Sequence, residues 1–433
     1  MKTLSRLITA VVTLAGIWTS PAFAQIEISA PGQQAIPLAL TRFLPLDGVV
    51  RPQLAEDLNQ VLEADLDLSG LFTLVDPESF LGDANRLGLS SVEVDFGQWR
   101  LLRADALIKG GYAVQGDQLT LEARLYDVVG RRQLAGRRYI GKVSDLRRMG
   151  HTFSDQILKS MTGEAGPFNT RIAYISNRTG HKELYLMEVD GHNPVRITDH
   201  RSIVLNPDFS PRGKELIFTS YKASNPDIYR KETYSGREAK VSAQKGLNIA
   251  ARYRPDGQEI ALTLSRDGNS ELYLIGTGGT IHKRLTDAWG IDVDPTWNPN
   301  GDQIAFVSDR QGNPHIFILD VVTGQVRRLT KDGKYNATPA WNPKGDRIAF
   351  SRLEGGRFDI FTINPDGSDE RRLTFGPGNK EHARWSHDSR FLVYSSDEDG
   401  KRGIYIMRAD GSGSRRVSPA GGDCSHPAWS NEW

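Results

Sequence analysis

The side chains that could carry out chemistry in this sequence are few. His151 and Asp155 lie four residues apart, so a helix would place them on one face, close enough to pair. No third partner is visible for them, and we interpret the pair as a structural hydrogen bond on the helix surface or between domains. Residues 136–143 have the glycine and lysine spacing of a phosphate-binding loop. We reject that loop because Val143 stands where a hydroxyl ligand for magnesium is needed, and because the segment alternates like a strand.

Carboxylate and imidazole groups occur later in the chain, at Asp292, Asp294, His382 and His426. Their spacing matches no defined metal site, so the sequence predicts neither a metal nor another cofactor. The competing functional class is a hydrolase of the peptidase or sialidase type. A peptidase would need a Gly-x-Ser-x-Gly segment, which does not occur, and the turn at 308–312 differs in spacing from a sialidase turn. The sequence therefore predicts no catalytic residues and a protein that is not an enzyme.

A repeat of 44 residues organises the second part of the chain. One series carries an anchor aromatic, a second runs from Ile197-Thr198 to Val417-Ser418, and a third runs from Tyr185 to Tyr405. The anchor aromatics are Phe209, Tyr253, Trp297, Trp341, Trp385 and Trp429. Turn residues divide each unit into four strands, and four antiparallel strands in about 40 to 45 residues form one blade of a β-propeller. Six units predict a six-bladed propeller.

The two ends of the repeat region predict how the ring closes. The first unit starts at 171–174 with no aromatic strand before it, and no unit follows Trp429. We therefore expect residues 426–430 to supply the inner strand of the first blade.

The sequence before the repeats predicts export and a separate N-terminal domain. Residues 1–24 have the features of a signal peptide, with a basic start, a short apolar run and a cleavage site after Ala24. We expect 25–35 to be a flexible segment, which is either a frayed end or a strand that pairs with the sheet edge of a partner. Residues 36–165 predict an α+β domain, and 166–433 predict the propeller. Expected helices cover 49–66, 96–102 and 145–161, and expected strands cover 106–112, 119–126 and 133–140.

The predicted fold class is therefore mainly β: a six-bladed β-propeller with an N-terminal α+β domain, in which helices pack on a mixed sheet. The charges nearly cancel, with 54 Lys and Arg against 53 Asp and Glu, so no global field favours nucleic acid or an anionic membrane. After the signal peptide no stretch is apolar enough to span a bilayer, and the single Cys424 predicts no internal disulfide. Any partner must be recognised locally.

The loops that lead from each outer strand to the next inner strand are the candidate binding surface, because they vary while the strands repeat. Polar side chains predominate three residues before each anchor aromatic. These positions are Asn206, Ala250, Asp294, Thr338, His382 and His426, with Asn248, Asp292, Asn336 and Glu381 nearby. We expect these residues on one rim of the ring, either as a binding surface for another protein or as solvated loop tips.

The mature sequence resembles the TolB family along its whole length. The resemblance is carried by the junction GPFNTRIAY at 166–174, which follows the helix ending at Gly163, and by repeats of the form Trp-Ser-Pro-x-Gly. Two repeats depart from this form: one has Ser-His-Asp-Ser at 386–389 in place of the Pro-x-Gly turn, and another has Tyr253-Arg254 where Trp-Ser is usual.

This resemblance implies a periplasmic, monomeric and non-enzymatic adaptor of the Tol-Pal system, without a cofactor. The outer-membrane lipoprotein Pal would bind at the propeller mouth, facing Asn248, Ala250, Val293 and Asp294, and other outer-membrane-associated proteins are further expected partners. The C-terminal domain of TolA would bind the N-terminal segment, with Ile26 and Ile28 as strand anchors. The residues expected to contact TolA are Gln25, Ile26, Glu27, Ile28 and Ser29. The implied role is outer-membrane invagination during cell division and envelope integrity.

Overall fold

The structure is a computed structural model that describes residues 35–431. The predicted signal peptide and the residues expected to contact TolA lie outside the described residues, so these expectations stay predictions.

The N-terminal α/β domain is built on a mixed sheet, as predicted. Its elements are β1 (Ile36–Leu40), β2 (Leu44–Pro45), α1 (Pro52–Ser69), β3 (Phe72–Leu74), α2 (Phe96–Leu101), β4 (Ala106–Gln115), β5 (Gln118–Asp127), β6 (Arg132–Lys142) and α3 (Leu146–Thr162). The strand order is β3-β1-β4-β5-β6, with β2 beside β4. The pairs of β1 with β3 and β4 are parallel, as is β2 with β4, whereas β4, β5 and β6 are antiparallel.

The helices follow from local sequence signals. Pro52 opens α1, where its missing N–H costs nothing, and Gly70 ends the helix with a left-handed φ of 67°, which lets its N–H bond the Asp67 carbonyl. Gly163 ends α3 in the same way. All three helices lie within three residues of their predicted ends. Strands β1 to β3 were not predicted, because they are short and pair with segments far away in the chain, as in Leu38 with Ala106.

The six blades are four-stranded antiparallel sheets. Blade 1 contains β7 (Arg171–Ser176), β8 (Glu183–Glu188) and β9 (Val195–Arg196); blade 2 contains β10 (Val204–Phe209), β11 (Glu215–Ala223), β12 (Asn225–Glu232) and β13 (Glu238–Ser242); blade 3 contains β14 (Asn248–Tyr253), β15 (Glu259–Leu264), β16 (Glu271–Gly276) and β17 (Ile281–Arg284). Blade 4 contains β18 (Asp292–Trp297), β19 (Gln303–Ser308), β20 (His315–Asp320) and β21 (Val326–Arg328); blade 5 contains β22 (Asn336–Trp341), β23 (Ile348–Glu354), β24 (Arg357–Ile363) and β25 (Arg371–Arg372); blade 6 contains β26 (Lys380–Trp385), β27 (Phe391–Ser396), β28 (Gly403–Arg408) and β29 (Arg415–Arg416).

The last strand, β30 (Cys424–Trp429), closes the ring. It pairs antiparallel with β7, which places Cys424 opposite Ser176 and Trp429 opposite Ile172. The Trp429 indole N–H also donates to Thr170 Oγ1 at 2.7 Å. The predicted closure by the C-terminal strand and the predicted six-bladed propeller are therefore confirmed.

The anchor aromatics hold adjacent blades together. Trp341 of blade 5 packs with Ile316 and Ile318 of blade 4, and the Trp385 indole donates to the Ala340 carbonyl of the preceding blade at 3.0 Å. All six anchors are between 7% and 8% exposed. Stacking the blades thus buries a side chain that a single sheet would leave in water.

The second repeated series fixes the two outer strands of a blade. The Thr286 hydroxyl accepts a hydrogen bond from Leu272 N at 2.9 Å and donates to the buried Glu271 carboxylate at 2.6 Å. Thr198 with Glu183, and Thr374 with Asp359, repeat this arrangement in blades 1 and 5. Recurrence of Thr therefore reflects a hydrogen-bonding need between two strands.

The N-terminal domain packs on blades 1, 5 and 6. Arg147 of α3 forms an ion pair with Glu188 of blade 1 at 2.7 Å, and Glu164 forms one with Lys344 of blade 5 at 3.0 Å. Arg408 of blade 6 donates to the Leu68 carbonyl at the end of α1. Within residues 35–431, no helix is both long and apolar enough to cross a membrane.

Candidate functional site

The two ends of the propeller differ in what covers them. Inner strands begin at one end, which we call the mouth end, and the turns after the inner strands lie at the opposite end. The N-terminal domain contacts the opposite end, through turn residues such as Lys344, Arg390 and Asp190. Among residues 35–431, the N-terminal domain therefore covers the opposite end and leaves the mouth end open to another protein.

Large apolar side chains stand exposed on the loops of the mouth end. Trp289 is 77% exposed and Phe375 is 66% exposed. Such side chains come from five of the six loops that precede the inner strands. We call this set the mouth ring: Ile203, Leu247, Trp289, Ile291, Tyr335 and Phe375. Exposed apolar side chains gathered around one opening are typical of a surface that binds another protein.

The residues that we predicted for this rim lie deeper than expected. All eleven are in inner strands rather than in loops, so their predicted position in loops is wrong. Six of them have left-handed φ values between 48° and 59°: Asn206, Ala250, Asp294, Thr338, His382 and His426. In each inner strand the register shifts at this residue and the next. The repeated position is a β-bulge, which explains why it looks irregular in a sequence of otherwise regular strands.

Three other predicted rim residues are fully buried. Asn248, Asp292 and Asn336 open their inner strands at 0% exposure and form structural hydrogen bonds. Asn248 accepts from Ser242 Oγ at 2.6 Å, and Arg310 donates to Asp292 at 2.5 Å. They shape the mouth loops from below, and a partner would not reach their side chains in this structure.

The last two predicted rim residues are partly accessible. Val293 and Glu381 each stand directly before a bulge residue and are half-buried. The Glu381 carboxylate forms an ion pair with Arg402 at 3.0 Å. Whether any of the eleven residues contacts Pal stays a prediction.

The channel inside the ring is lined by polar and charged groups. The His382 and His426 rings lie 4.0 Å apart between their centroids. Burial lowers the pKa of His426 to about 3 and lowers that of His382 well below its usual range, so both imidazoles are neutral at ordinary pH. Burial, together with the guanidinium of Arg252, also lowers the pKa of Arg384 to about 9. The channel thus offers hydrogen-bonding and charged groups at the centre of an apolar rim, an arrangement suited to recognition.

Side chains of metal-binding types gather elsewhere. Among residues 35–431, His151, Glu188 and Asp190 form such a group, at the contact between the N-terminal domain and blade 1. Arg147 bonds both carboxylates, so their charge is already matched by a guanidinium. The predicted pairing of His151 with Asp155 is wrong. Instead Asp155 accepts hydrogen bonds from two backbone N–H groups of the junction, at 2.8 and 3.0 Å.

The mouth ring was not found from the sequence. Its side chains stand one to five positions before five of the six inner strands, in loops for which the sequence pattern indicated only polar contact residues. A usable signal was present: Trp289 and Phe375 are large apolar residues in connecting segments, each directly before a glycine, where nothing in the repeat requires them.

Two family models match this chain. The model described as the TolB beta propeller domain matches residues 158–433, and the model described as the TolB amino-terminal domain matches residues 24–134. Together they span both parts of the described structure.

Individual relatives agree with this assignment. A Tol-Pal system protein TolB from Syntrophotalea carbinolica is 63% identical over 212 residues, which is 49% of either chain. One from Geobacter sulfurreducens is 47% identical over 190 residues, covering 44% of this chain and 43% of the relative. The chain therefore spans about half the length of the curated relatives it matches.

A solved structure covers much more of the chain. The crystal structure of TolB from Acinetobacter baumannii superposes with a TM-score of 0.81 at 26% identity, over 92% of this chain and 98% of the other. Because the propeller model alone matches more than half of the sequence, the chain belongs to the TolB family.

Proposed function

We propose that this chain is the periplasmic adaptor of a Tol-Pal system. It binds the outer-membrane lipoprotein Pal through the mouth end of the propeller and the C-terminal domain of TolA through residues 25–29. By joining these partners it supports outer-membrane invagination during cell division and the integrity of the envelope. Membership of the TolB family supports a role in a Tol-Pal system. The mouth ring is the observation that supports binding at the mouth end.

The energetics of the mouth ring favour protein binding. An aromatic side chain that is fully covered removes about 150 to 250 Å² from water, which corresponds to about 4 to 6 kcal/mol before the costs of association. Trp289 and Phe375 are both mostly exposed in this chain, so that gain is available to a partner. Aromatic residues of this kind are the ones that most often dominate interface energetics.

The polar channel beneath the ring would supply specificity. Arg252 and Arg384 contribute cations, while Asp208 and Asp294 contribute carboxylates, from different blades. A partner segment that enters the channel must match this pattern, because an unmatched buried charge costs several kcal/mol. Apolar contact at the rim would thus supply binding energy, and charge matching inside the channel would supply specificity.

Capture of purified Pal by the full chain tests the proposal. We expect the double variant Trp289→Ala/Phe375→Ala to weaken Pal binding at least about tenfold, since truncating each hot-spot side chain costs more than about 1 kcal/mol. Tyr234→Ala is the matched control, because Tyr234 is also an exposed aromatic, at 73%, but lies in a turn at the opposite end. Equal losses in the double variant and the control would contradict binding at the mouth end.

A second variant tests the N-terminal arm separately. Removal of residues 25–34 from the mature chain should abolish capture of the TolA C-terminal domain while Pal is still captured. If TolA binding survives this deletion, the proposed role of residues 25–29 is wrong.

A further inference from the structure

The contact between the N-terminal domain and blade 1 encloses a group of charges that the proposed function does not use. His151 of α3 is 2% exposed, and its Nδ1 lies 2.8 Å from the carboxylate of Asp65 in α1. Its Nε2 points to blade 1, 3.6 Å from Glu188 and 3.7 Å from Asp190. One imidazole therefore stands between the carboxylate of Asp65 in α1 and two carboxylates of blade 1, Glu188 at the end of β8 and Asp190 in the turn that follows.

The remaining charges around this imidazole leave one cation missing. Arg147 donates to Glu188 at 2.7 Å and also bonds Asp190, and Arg171 forms an ion pair with Glu188 at 2.9 Å. Two guanidiniums thus face three carboxylates. A neutral His151 would leave a net negative charge in a place almost without water, which is strongly unfavourable. A protonated His151 balances the charges.

Other charged groups near this contact have their own partners. Arg415 of blade 6 also interacts with Asp65 and Asp190. The carboxylate that it pairs with is Asp67, at 3.3 Å and near the end of α1, so this cation and this anion cancel in the charge count. Asp155, one turn beyond His151 on α3, is bonded by backbone N–H groups of the junction. His192 contacts the far oxygen of Asp190 at 3.2 Å, but it is largely exposed. These groups border the cluster without supplying the missing buried cation.

We propose that the imidazolium of His151 is a latch that fastens the N-terminal domain to the first propeller blade. Its Nδ1–H donates to Asp65 and so ties α3 to α1. Its Nε2–H faces Glu188 and Asp190 and so ties both helices to blade 1. Loss of this one proton would leave one buried negative charge without a countercharge, beside the remaining ion pairs of Arg147 and Arg171, and so would weaken the contact between the domain and the ring.

The effects of burial and of the neighbouring carboxylates on the pKa of His151 agree with a protonated ring. Burial alone would lower the pKa of His151, but Asp65, with Glu188 and Asp190, outweighs burial and raises that pKa to about 10. The pKa in the folded protein lies above the unfolded value of about 6.5. The stabilisation is therefore complete below about pH 6.5 and is lost as the pH rises through about 10.

Hydrogen exchange of the full chain tests the latch. We expect His151→Gln, which keeps a hydrogen-bonding side chain but no charge, to speed amide exchange in α3 and at 188–193 by at least about tenfold, with the inner strands of blades 3 and 4 unchanged. His192→Gln is the matched control. His192 lies in the turn at 188–193 but is largely exposed, so this variant should exchange like wild type. Unchanged exchange in His151→Gln would overturn the proposal.

If His151→Gln does not fold, a pH titration of the His151 ring in the wild-type protein provides a second test. In wild type, the His151 ring followed by NMR should stay protonated from pH 6 to 9, and in Asp190→Asn its pKa should move toward the ordinary value. Titration of wild-type His151 near 6.5 would overturn the latch. So would a change in exchange at 188–193 after dialysis against EDTA, because a metal rather than a proton would then hold the contact.

Discussion

Lys109 and Asp83 form an ion pair inside the N-terminal domain, at 2% and 1% exposure of their side chains. The ammonium donates to the carboxylate and to the main-chain oxygen of Asp83, both at 2.9 Å, and the Trp99 indole donates to the same carboxylate at 2.7 Å. The pair pins the long connection between β3 and α2 onto β4. Removing only one charge of this pair would leave the other charge buried without a countercharge.

We expect Asp83→Asn to lower the free energy of unfolding by about 3 to 5 kcal/mol, because it leaves the Lys109 ammonium buried without a countercharge. The double variant Asp83→Asn/Lys109→Met should recover at least half of that loss. Urea unfolding of the four proteins in a double-mutant cycle measures the coupling. Additive losses would mean that the two charges do not depend on each other.

The environment of His315 indicates how the stability of the protein changes at low pH. The ring is 3% exposed; its Nδ1 lies 3.1 Å from Thr330 Oγ1, and its Nε2 accepts from Arg328 at 2.7 Å. Burial, with Arg328 as a further cause, lowers the pKa of His315 to about 4. Because the folded pKa is below the unfolded one, the neutral ring contributes stability above about pH 6.5 that is lost as the pH falls toward 4.

We therefore expect the difference in unfolding free energy between wild type and His315→Gln to shrink by up to about 3 kcal/mol from pH 7 to pH 4, at about 1.4 kcal/mol per pH unit. Urea unfolding at a series of pH values gives this difference. A constant difference over this range would contradict a neutral buried His315.

Residue-scale features differed in how far the sequence predicted them. The six anchor aromatics were recognisable because one occurs at the same position of every repeat, and all six are buried, as this period indicates. The partner of His151 was not recognisable, because Asp65 lies 86 positions away and only the packing of α1 on α3 brings them together. The bulge residues were placed in loops, because a left-handed residue interrupts strand alternation just as a loop does.

At the scale of the element, β30 decides whether the ring exists. It supplies the inner strand of blade 1, and Ser430 N continues the pairing with the Arg171 carbonyl at 2.9 Å. Because this strand comes from the C-terminus and its partner from the start of the propeller, the whole ring depends on contacts between residues some 250 positions apart.

Deletion of residues 426–433 should abolish the cooperative thermal transition of the propeller, because it removes most of β30 together with the Trp429 anchor. Differential scanning calorimetry of the truncated and full-length chains measures this. Retention of the wild-type transition by the truncated chain would contradict closure by β30.

The sequence predicted elements well where their signal is local. Helix α1 was visible from its apolar spacing and from Pro52, and β4 to β6 were visible from alternation and turn residues. The parallel strands β1 to β3 carry no such signal, because each is defined by its partner in the sheet.

At the scale of the molecule, the two ends of the propeller have different tasks. The N-terminal domain packs against one end through the shared core and the charges around His151. The other end presents the mouth ring around a polar channel. The period of the repeat predicted the ring and its symmetry, whereas the difference between the ends arises from the loops and from domain packing, which the period does not encode.

The most direct measurement of this account is a hydrogen-exchange footprint of the full chain with and without Pal. The account predicts slower exchange, when Pal is bound, in the mouth loops at 199–203, 243–247, 287–291, 331–335 and 375–379. It predicts no change in the opposite turns at 233–237 and 321–325. Protection confined to those opposite turns or to the N-terminal domain would contradict the claim that the mouth ring is where the partner binds.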